Sequence, residues 1–303
     1  MKDSYPSVSL ERFCWLLGLT RQAFYKDTWK LKHKSSKEQL VVSEVKNIRR
    51  EHPAIGTSKL HELLQGFYRQ HSIKMGRDAL FCTLSDHRLL IRRRRRRVST
   101  TQSHHWLKKY SNLVKGWYPT LPEQLWVSDI TYVPCERGYL YLSLITDAYS
   151  HKIMGYHIAD TLEAVHCVKA LQMALAGRLH PTHNLIHHSD RGIQYCSSSY
   201  TELLMQNNIT ISMTESGDPL DNAIAERING IIKHEYLQHY RPSNLEQATA
   251  LLNQVVESYN ERRPHLSIQM NTPNKVHLQK LQVNRQWQKP KRTATIVNQL
   301  NHL

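Results

Sequence analysis

The chain is short of glycine, proline and phenylalanine, with 11, 11 and 4 among 303 residues. A collagen-like or Gly/Pro-rich low-complexity polymer is thereby excluded, since either needs roughly a quarter or more of its residues in those two types. Cysteine is sparse as well. Cys14, Cys82, Cys135, Cys167 and Cys196 are odd in number and scattered, with no C-x-x-C pair. Reduced thiols in a cytosolic protein are expected rather than a disulfide framework. No apolar run approaches the ~20 residues that cross a bilayer. The longest, around Tyr139–Ile145, is strand-sized. With no secretory signal and no lipid motif, a cytoplasmic protein without a membrane partner is expected. Acid is the scarce charge: 25 Asp and Glu stand against 41 Lys and Arg, a formal charge of +16. Such an excess favours a polyanion, nucleic acid first, because basic side chains displace the counterions condensed on phosphates.

A length of 303 residues suggests about two domains. Residues 1–36 read as a helix-turn-helix-like segment. Ser9 caps a helix carrying Leu10, Phe13, Leu16 and Leu17, Gly18 breaks it, and Thr20 caps a second helix, Arg21–Lys26. The polar face of that second helix, with Arg21, Gln22 and Lys26, is expected to enter a major groove. Residues 37–91 form a second helical unit, which the spacing leaves open between another helix-turn-helix and a dimerisation unit. Residues 92–120 are a basic linker. It opens with six arginines, Arg92, Arg93, Arg94, Arg95, Arg96 and Arg97, as a phosphate-tracking or a solvated tether. Trp106, Lys108, Lys109, Tyr110, Lys115, Trp117 and Tyr118 follow. Interleaved bases and aromatics suit nucleic-acid contact or anchorage of the linker.

From residue 121 the pattern turns to strands. Leu125–Val133, Tyr139–Thr146 and Lys152–Ile158, joined by short turns, predict an antiparallel meander. A helix over Glu163–Ala176, a strand over Leu185–His188, a helix over Ser197–Gln206 and a strand over Ile209–Thr214 follow, and then a helix opened by Asp218 and Pro219. That order is the order of a ribonuclease-H-like α/β core over residues 121–240: a mixed five-stranded sheet with flanking helices, preceded here by an all-helical DNA-binding region. Residues 241–285 are a C-terminal helical extension, with Ser243 as the expected cap of its first helix. Residues 286–303 are a polar, basic tail.

Three acids stand out. Asp129 sits inside the apolar first strand, where a carboxylate is costly unless it is paired or bound to metal. Asp190 ends the run Leu185-Ile-His-His-Ser-Asp190 and precedes Arg191-Gly192, where an Asx-turn is the plain alternative. Glu226 lies on the last helix. Counting 100° per residue, Leu220, Ile224, Ile228 and Ile231 share the core face, while Asn222, Glu226, Asn229 and Lys233 share the opposite one. Lys233, Arg227, Asn222 and Asn229 are expected to contact DNA. Carboxylates from separate elements are what two Mg²⁺ or Mn²⁺ ions need for phosphoryl transfer, with water and phosphate completing the shell. Asp129, Asp190 and Glu226 are therefore the expected catalytic metal ligands. His188 is expected to orient a carboxylate. Zinc is not expected at His180, His183, His187 and His188, which lack paired spacing. Asp147 is expected to cap the turn before Ser150.

Trp126-Val-Ser-Asp129-Ile-Thr-Tyr, His187-His-Ser-Asp190-Arg-Gly-Ile-Gln-Tyr195 and Asp221-Asn-Ala-Ile-Ala-Glu226 through Lys233 together resemble the DDE (retroviral-integrase-like) transposases of the insertion sequence three family. Tyr259-Asn-Glu-Arg-Arg-Pro-His265, Asn271-Thr-Pro273 and His52-Pro-Ala-Ile-Gly56 extend the resemblance over roughly residues 5–280. It implies a second-reading-frame (OrfB) product that cuts one strand at the inverted-repeat ends of an insertion sequence and joins it to target DNA. It also implies a homo-oligomer on DNA, an upstream-frame partner product, and a cytoplasmic location at the bacterial nucleoid. Arg227 and the length of the arginine run depart from the family pattern and remove no ligand. A structure-specific nuclease on the same scaffold, or a regulator with a degenerate core, are the alternatives.

Overall fold

The structure is a computed structural model that describes residues 8–91, 106–136, 138–215 and 222–283, without the side chains of 26–35. Arg92–Arg97, the side chain of Lys26, Asp218, Pro219, Leu220 and the 286–303 tail lie outside the described residues. The chain divides into two compact units, residues 1–99 with 234–239, and residues 100–233 with 240–303.

The first unit is helical. Helix α1 (Leu10–Leu16) starts where the Ser9 side chain accepts from Arg12 N, and α2 (Arg21–Glu51) where Thr20 accepts from Ala23 N. Both caps fall where expected, but α2 does not stop at Lys26. It runs through to Glu51, so no break separates the segment 1–36 from the one after it. Helices α3 (Thr57–Leu63), α4 (Gln65–Gln70) and α5 (Arg77–Asp86) follow. They bury Leu60, Leu64, Tyr68, Leu80 and Leu84 against Val41 and Val45 of α2. Gly56 stands at the α3 N-cap. His52, buried, holds the buried Tyr236 hydroxyl at 2.8 Å through Nδ1.

The second unit is α/β. Strands β1 (Leu125–Cys135), β2 (Gly138–Asp147) and β3 (Ile153–Ala159) form the expected meander. Helix α6 (Ala164–Ala176), β4 (Ile186–Ser189), α7 (Ser198–Gln206), β5 (Thr210–Met213) and α8 (Ala223–Ile231) follow. The sheet order is β3-β2-β1-β4-β5. The β1–β2 and β2–β3 pairs are antiparallel, and β1–β4 and β4–β5 parallel. This is the ribonuclease-H-like arrangement. Side chains alternate across the sheet. Trp126 and Ile145 join the main core with Ala170, Leu171 and Ala174 of α6 and Tyr200 and Leu204 of α7. Leu125 and Val127 face the other way, onto Ala225 of α8. Helix α6 lies so close to β3 that a Cβ on Gly155 would fall 2.0 Å from the Ala170 carbonyl oxygen, so any larger residue there would push the helix off the sheet.

The extension is α9 (Leu245–Glu261) and α10 (Pro273–Gln279). Asn244, not Ser243, caps α9: its side chain accepts from Gln247 N at 2.8 Å, while Ser243 Oγ donates to the Gln247 side chain. The 259–265 motif fastens α9 to the sheet. Asn260 bonds both N and O of Ile153 at 3.0 Å, as a neighbouring strand would. Tyr259 OH donates to the His151 carbonyl, and fully buried Arg263 bonds His265 at 2.8 Å.

Candidate active site

Parallel pairing of β1 with β4 sets the site. The last paired residues are Val127 and His188. Asp129 and Asp190 each stand two residues beyond that pair, so they lie side by side where the two strands diverge. Asp190 Oδ1 accepts from Gly192 N at 2.9 Å, the Asx-turn foreseen as the plain reading. A Cβ on Gly192 would lie 2.9 Å from that same oxygen, so a larger residue there would make the Asp190 carboxylate shift.

Helix α8 brings the third acid. Asn222 Nδ2 donates to Ser128 O at 2.9 Å, and Asn229 Nδ2 donates to Asp129 Oδ2 at 2.8 Å. Glu226, four residues after one amide and three before the other, is thereby held over the same stretch of β1 with its side chain exposed. This corrects the expected place of Asn222 and Asn229 on a DNA-facing surface. Both are buried, 7% and 3% exposed, and spend their amide nitrogens on the protein. The isoleucines of α8 do face the core, with Ile228 and Ile231 buried. The opposite face is simply not all solvent, because half of it packs on β1.

The electrostatics follow from this crowding. The Asp129 carboxyl is pushed up to about 7, first by burial and then by the neighbouring charges of Asp190 and Glu226, against the hydrogen bonds from Asn229 and Ile130 N. Like charges near one another at the rim of an apolar sheet are the condition a divalent cation relieves. The donors are hard carboxylate oxygens, which suit Mg²⁺ or Mn²⁺. Among the described residues no group of three or more His, Cys, Asp or Glu side chains is placed to hold a metal ion. Mg²⁺ needs only one or two carboxylates beside water and phosphate, so an open set of this kind fits it.

Beneath the acids the sheet is neutral. His187 Nε2 bonds Ser128 Oγ at 2.7 Å and Tyr200 OH at 2.9 Å. Burial, with His188 beside it, drives its pKa down to about 3. His188 reaches Ser212 Oγ through Nδ1 at 2.9 Å. Arg227 is exposed on α8. Lys233 lies in a π-helical turn, Ile232–Tyr236, which breaks the α spacing that put it in line with Glu226. It is half-buried, and burial lowers its ammonium pKa. Arg21 and Gln22 are exposed at the start of α2.

Asp147 caps its turn as expected, accepting from Ser150 N and Oγ at 2.8 and 2.7 Å. Its partner was not foreseen. Glu123, fully buried, donates its backbone N–H to Asp147 Oδ2 at 2.6 Å and receives Leu179 N, His180 N and His277 Nε2 on its carboxylate. An acid just before an apolar strand is the only signal the sequence offers for it.

Residues 119–219 match the integrase core domain family, and residues 207–273 a second integrase core domain family. An insertion element IS600 protein of 31 kDa from Shigella sonnei is 35% identical over 260 residues, 83% of this chain and 92% of that protein. The transposase InsF for insertion sequence IS3A of Escherichia coli K12 is 35% identical over 164 residues, 53% of this chain and 56% of that protein. The solved catalytic core of HTLV-2 integrase, in complex with magnesium, aligns with 53% of this chain and 99% of its own at 19% identity and a TM-score of 0.43. No helix among the described residues is long and apolar enough to cross a membrane. The chain belongs to the insertion sequence three family of DDE transposases, integrase-type polynucleotidyl transferases of DNA transposition.

Proposed function

We propose that Asp129, Asp190 and Glu226 hold two Mg²⁺ or Mn²⁺ ions, and that this chain nicks DNA at the ends of its element and joins the freed 3′ end to a target. One observation carries the reading: Asp129 and Asp190 are neighbours beyond the last β1–β4 pair, and Asp190 and Glu226 both raise the proton affinity of Asp129. Bound between such carboxylates, a pair of divalent ions lowers the pKa of an attacking hydroxyl and stabilises the departing oxygen. The protein's own part is orientation. Asn229 fixes one Asp129 oxygen, leaving the carboxylate aimed, and Gly192 N does the same for Asp190. Arg227 and Lys233 supply positive charge on the side of α8 beyond Glu226, where DNA phosphate would lie. Arg21, Gln22 and Lys26 at the start of α2, with Arg92–Arg97, would hold DNA away from the reacting bond. Binding as a homo-oligomer, with an upstream-frame product as a further partner, and residence at the nucleoid belong to the same reading.

The test is strand nicking and strand transfer on duplex DNA carrying the element's terminal repeats. With Mg²⁺, the wild-type chain should do both and Asp129→Asn neither, while still binding DNA. Cutting retained by the variant would refute the ligand assignment. Cutting without joining would favour a structure-specific nuclease instead.

A further inference from the structure

Beyond β5 the sheet does not end in an open edge. Ser111 O accepts from Met213 N at 3.3 Å, and Leu113 N donates to Ser212 Oγ at 2.9 Å. The chain around 106–113 therefore runs antiparallel along β5. Residues before Ser111 lie toward the end of β5 where Thr214 N meets Ser189 O, the residue before Asp190. Residues after Leu113 run toward the opposite end, where Val114 packs with Leu125 and Ile186.

The catalytic-end half of this segment divides by face. Leu107 and Tyr110 pack on the main core. Trp106, 91% exposed, and Lys108 and Lys109 point outward. Lys108 lies over the Tyr110 ring, its Nζ 5.1 Å from the centroid, which steadies an otherwise loose side chain. Arg191 donates through Nη1 to Glu215 O at 3.3 Å, across the β4–β5 ends, and the Glu215 carboxylate is occupied by Asn112 N. Lys109, Arg191 and Asp190 all act on the buried Cys196 thiol, the two cations against the acid. Arg191 directly follows Asp190, and Lys109 stands two residues before Ser111, whose carbonyl meets Met213 N one residue from where Thr214 N meets Ser189 O.

We propose that Lys108, Lys109 and Arg191, with Trp106 at their head, form a track along the β5 edge that holds the phosphates of the DNA strand entering beside Asp190. The inference rests on the DNA-cutting reading above and adds to it the path of the substrate. An anionic chain is what this edge fits: two outward ammonium groups and a guanidinium follow the sheet margin, with an exposed indole able to stack on a base or sugar. Lys115, in the turn that Trp117 N closes on Val114 O toward the other end, is outside the track and serves as the control.

The experiment is fluorescence anisotropy of the full chain with a linear mixed-sequence DNA duplex across a salt series, without divalent metal. Each lost phosphate contact lowers the slope of log affinity against log salt by about 0.9. Lys108→Ala with Lys109→Ala should therefore lower it by about two and weaken binding at low salt, whereas Lys115→Ala should leave the slope as in wild type. Thermal melts should be unchanged, since these side chains are exposed. An unchanged slope in the double variant overturns the track. So does an equal fall in Lys115→Ala, which would mean diffuse charge, a loss seen with duplex RNA but not DNA, or a wild-type chain that does not bind the duplex. Nicking by the wild-type chain is scored separately, so failure of the catalytic reading is told apart from failure of the track.

Discussion

Two clusters of acids lie in the same α/β unit and behave in opposite ways. At the first, the Asp129 carboxyl is pushed up to about 7 by burial and by the charges of Asp190 and Glu226. At Glu123 and Asp147 the carboxylates are fully buried yet matched. Burial alone would raise Glu123, but hydrogen bonds from His277, Leu179 N and His180 N outweigh it and hold it at about 2. Arg178, 3.8 Å away, adds a cation. The difference teaches how to tell a working acid from a structural one. Asp129 and Asp190 are half-buried and Glu226 exposed, whereas Glu123 and Asp147 are fully buried and have a guanidinium and an imidazole beside them as well as backbone N–H donors. In the first set the chain's own donors to Asp129 do not outweigh its burial and its acidic neighbours.

The comparison breaks most sharply by mutation of one acid from each cluster. Asp129→Asn should lower nicking and strand transfer by at least about a thousandfold, several kcal/mol of barrier. Without metal its thermal midpoint should be equal to or above wild type, because a like-charge repulsion is gone. A lower midpoint in the variant would mean Asp129 is a structural acid after all. Glu123→Ala should do the reverse. Removing one partner of a buried charge network destabilises by about 3–5 kcal/mol, so urea unfolding should shift strongly while any protein that remains folded still cuts. Loss of cutting in a folded Glu123→Ala protein would erase the distinction.

Metal sharpens the contrast. Mg²⁺ binds the folded site and should stabilise the wild-type chain by about 2.7 kcal/mol at a hundredfold excess over its dissociation constant. The gain should vanish in Asp129→Asn and persist, on the lowered baseline, in Glu123→Ala; calorimetric scans with and without Mg²⁺ read both. Asn229→Ala comes next. It removes a hydrogen bond to a charged oxygen, an interaction of about 1.5–3 kcal/mol, and with it the hold of the α8 amide on Asp129. The expected result is weaker Mg²⁺ binding in addition to a metal-free destabilisation of that size. Unchanged Mg²⁺ affinity would deny Asn229 a positioning role.

Much of this was legible in advance, for reasons visible in particular residues. The meander over 125–159 shows because alternating apolar residues sit between short turns, and Gly138, at φ +120°, is a glycine where the turn needs one. The acids show because Asp129 interrupts an apolar strand. The run of α2 past Lys26 was hidden by the helix-turn-helix pattern, although residues 27–38 contain neither Gly nor Pro to stop a helix. Asn222 and Asn229 were misplaced because a helical wheel finds the apolar face but not what lies against the polar one. Glu123 and His277, 154 residues apart, meet only through the tertiary fold, and no local spacing announces such a pair.

The smallest expected effect separates the clusters by pH. Burial would lower the pKa of His277, but its bonds with Asp147 and Glu123 raise it above the ordinary histidine value. A raised base contributes stability that is fully present below its unfolded value and is lost as pH climbs through the folded one. Depressed Glu123 contributes above its unfolded value near 4.5 and loses its share only as pH falls through about 2. Asp129 is a raised acid: its penalty is absent below about 3.8, grows as pH rises and is complete above about 7. Both clusters therefore lose stability on the alkaline side, and the slopes overlap. Mg²⁺ divides them. It should cancel the Asp129 share, because the ionised site is what it binds, and leave the His277 share. His277→Gln should flatten the slope that remains in Mg²⁺. A slope in Mg²⁺ that survives His277→Gln would mean that the second cluster does not set the alkaline limit.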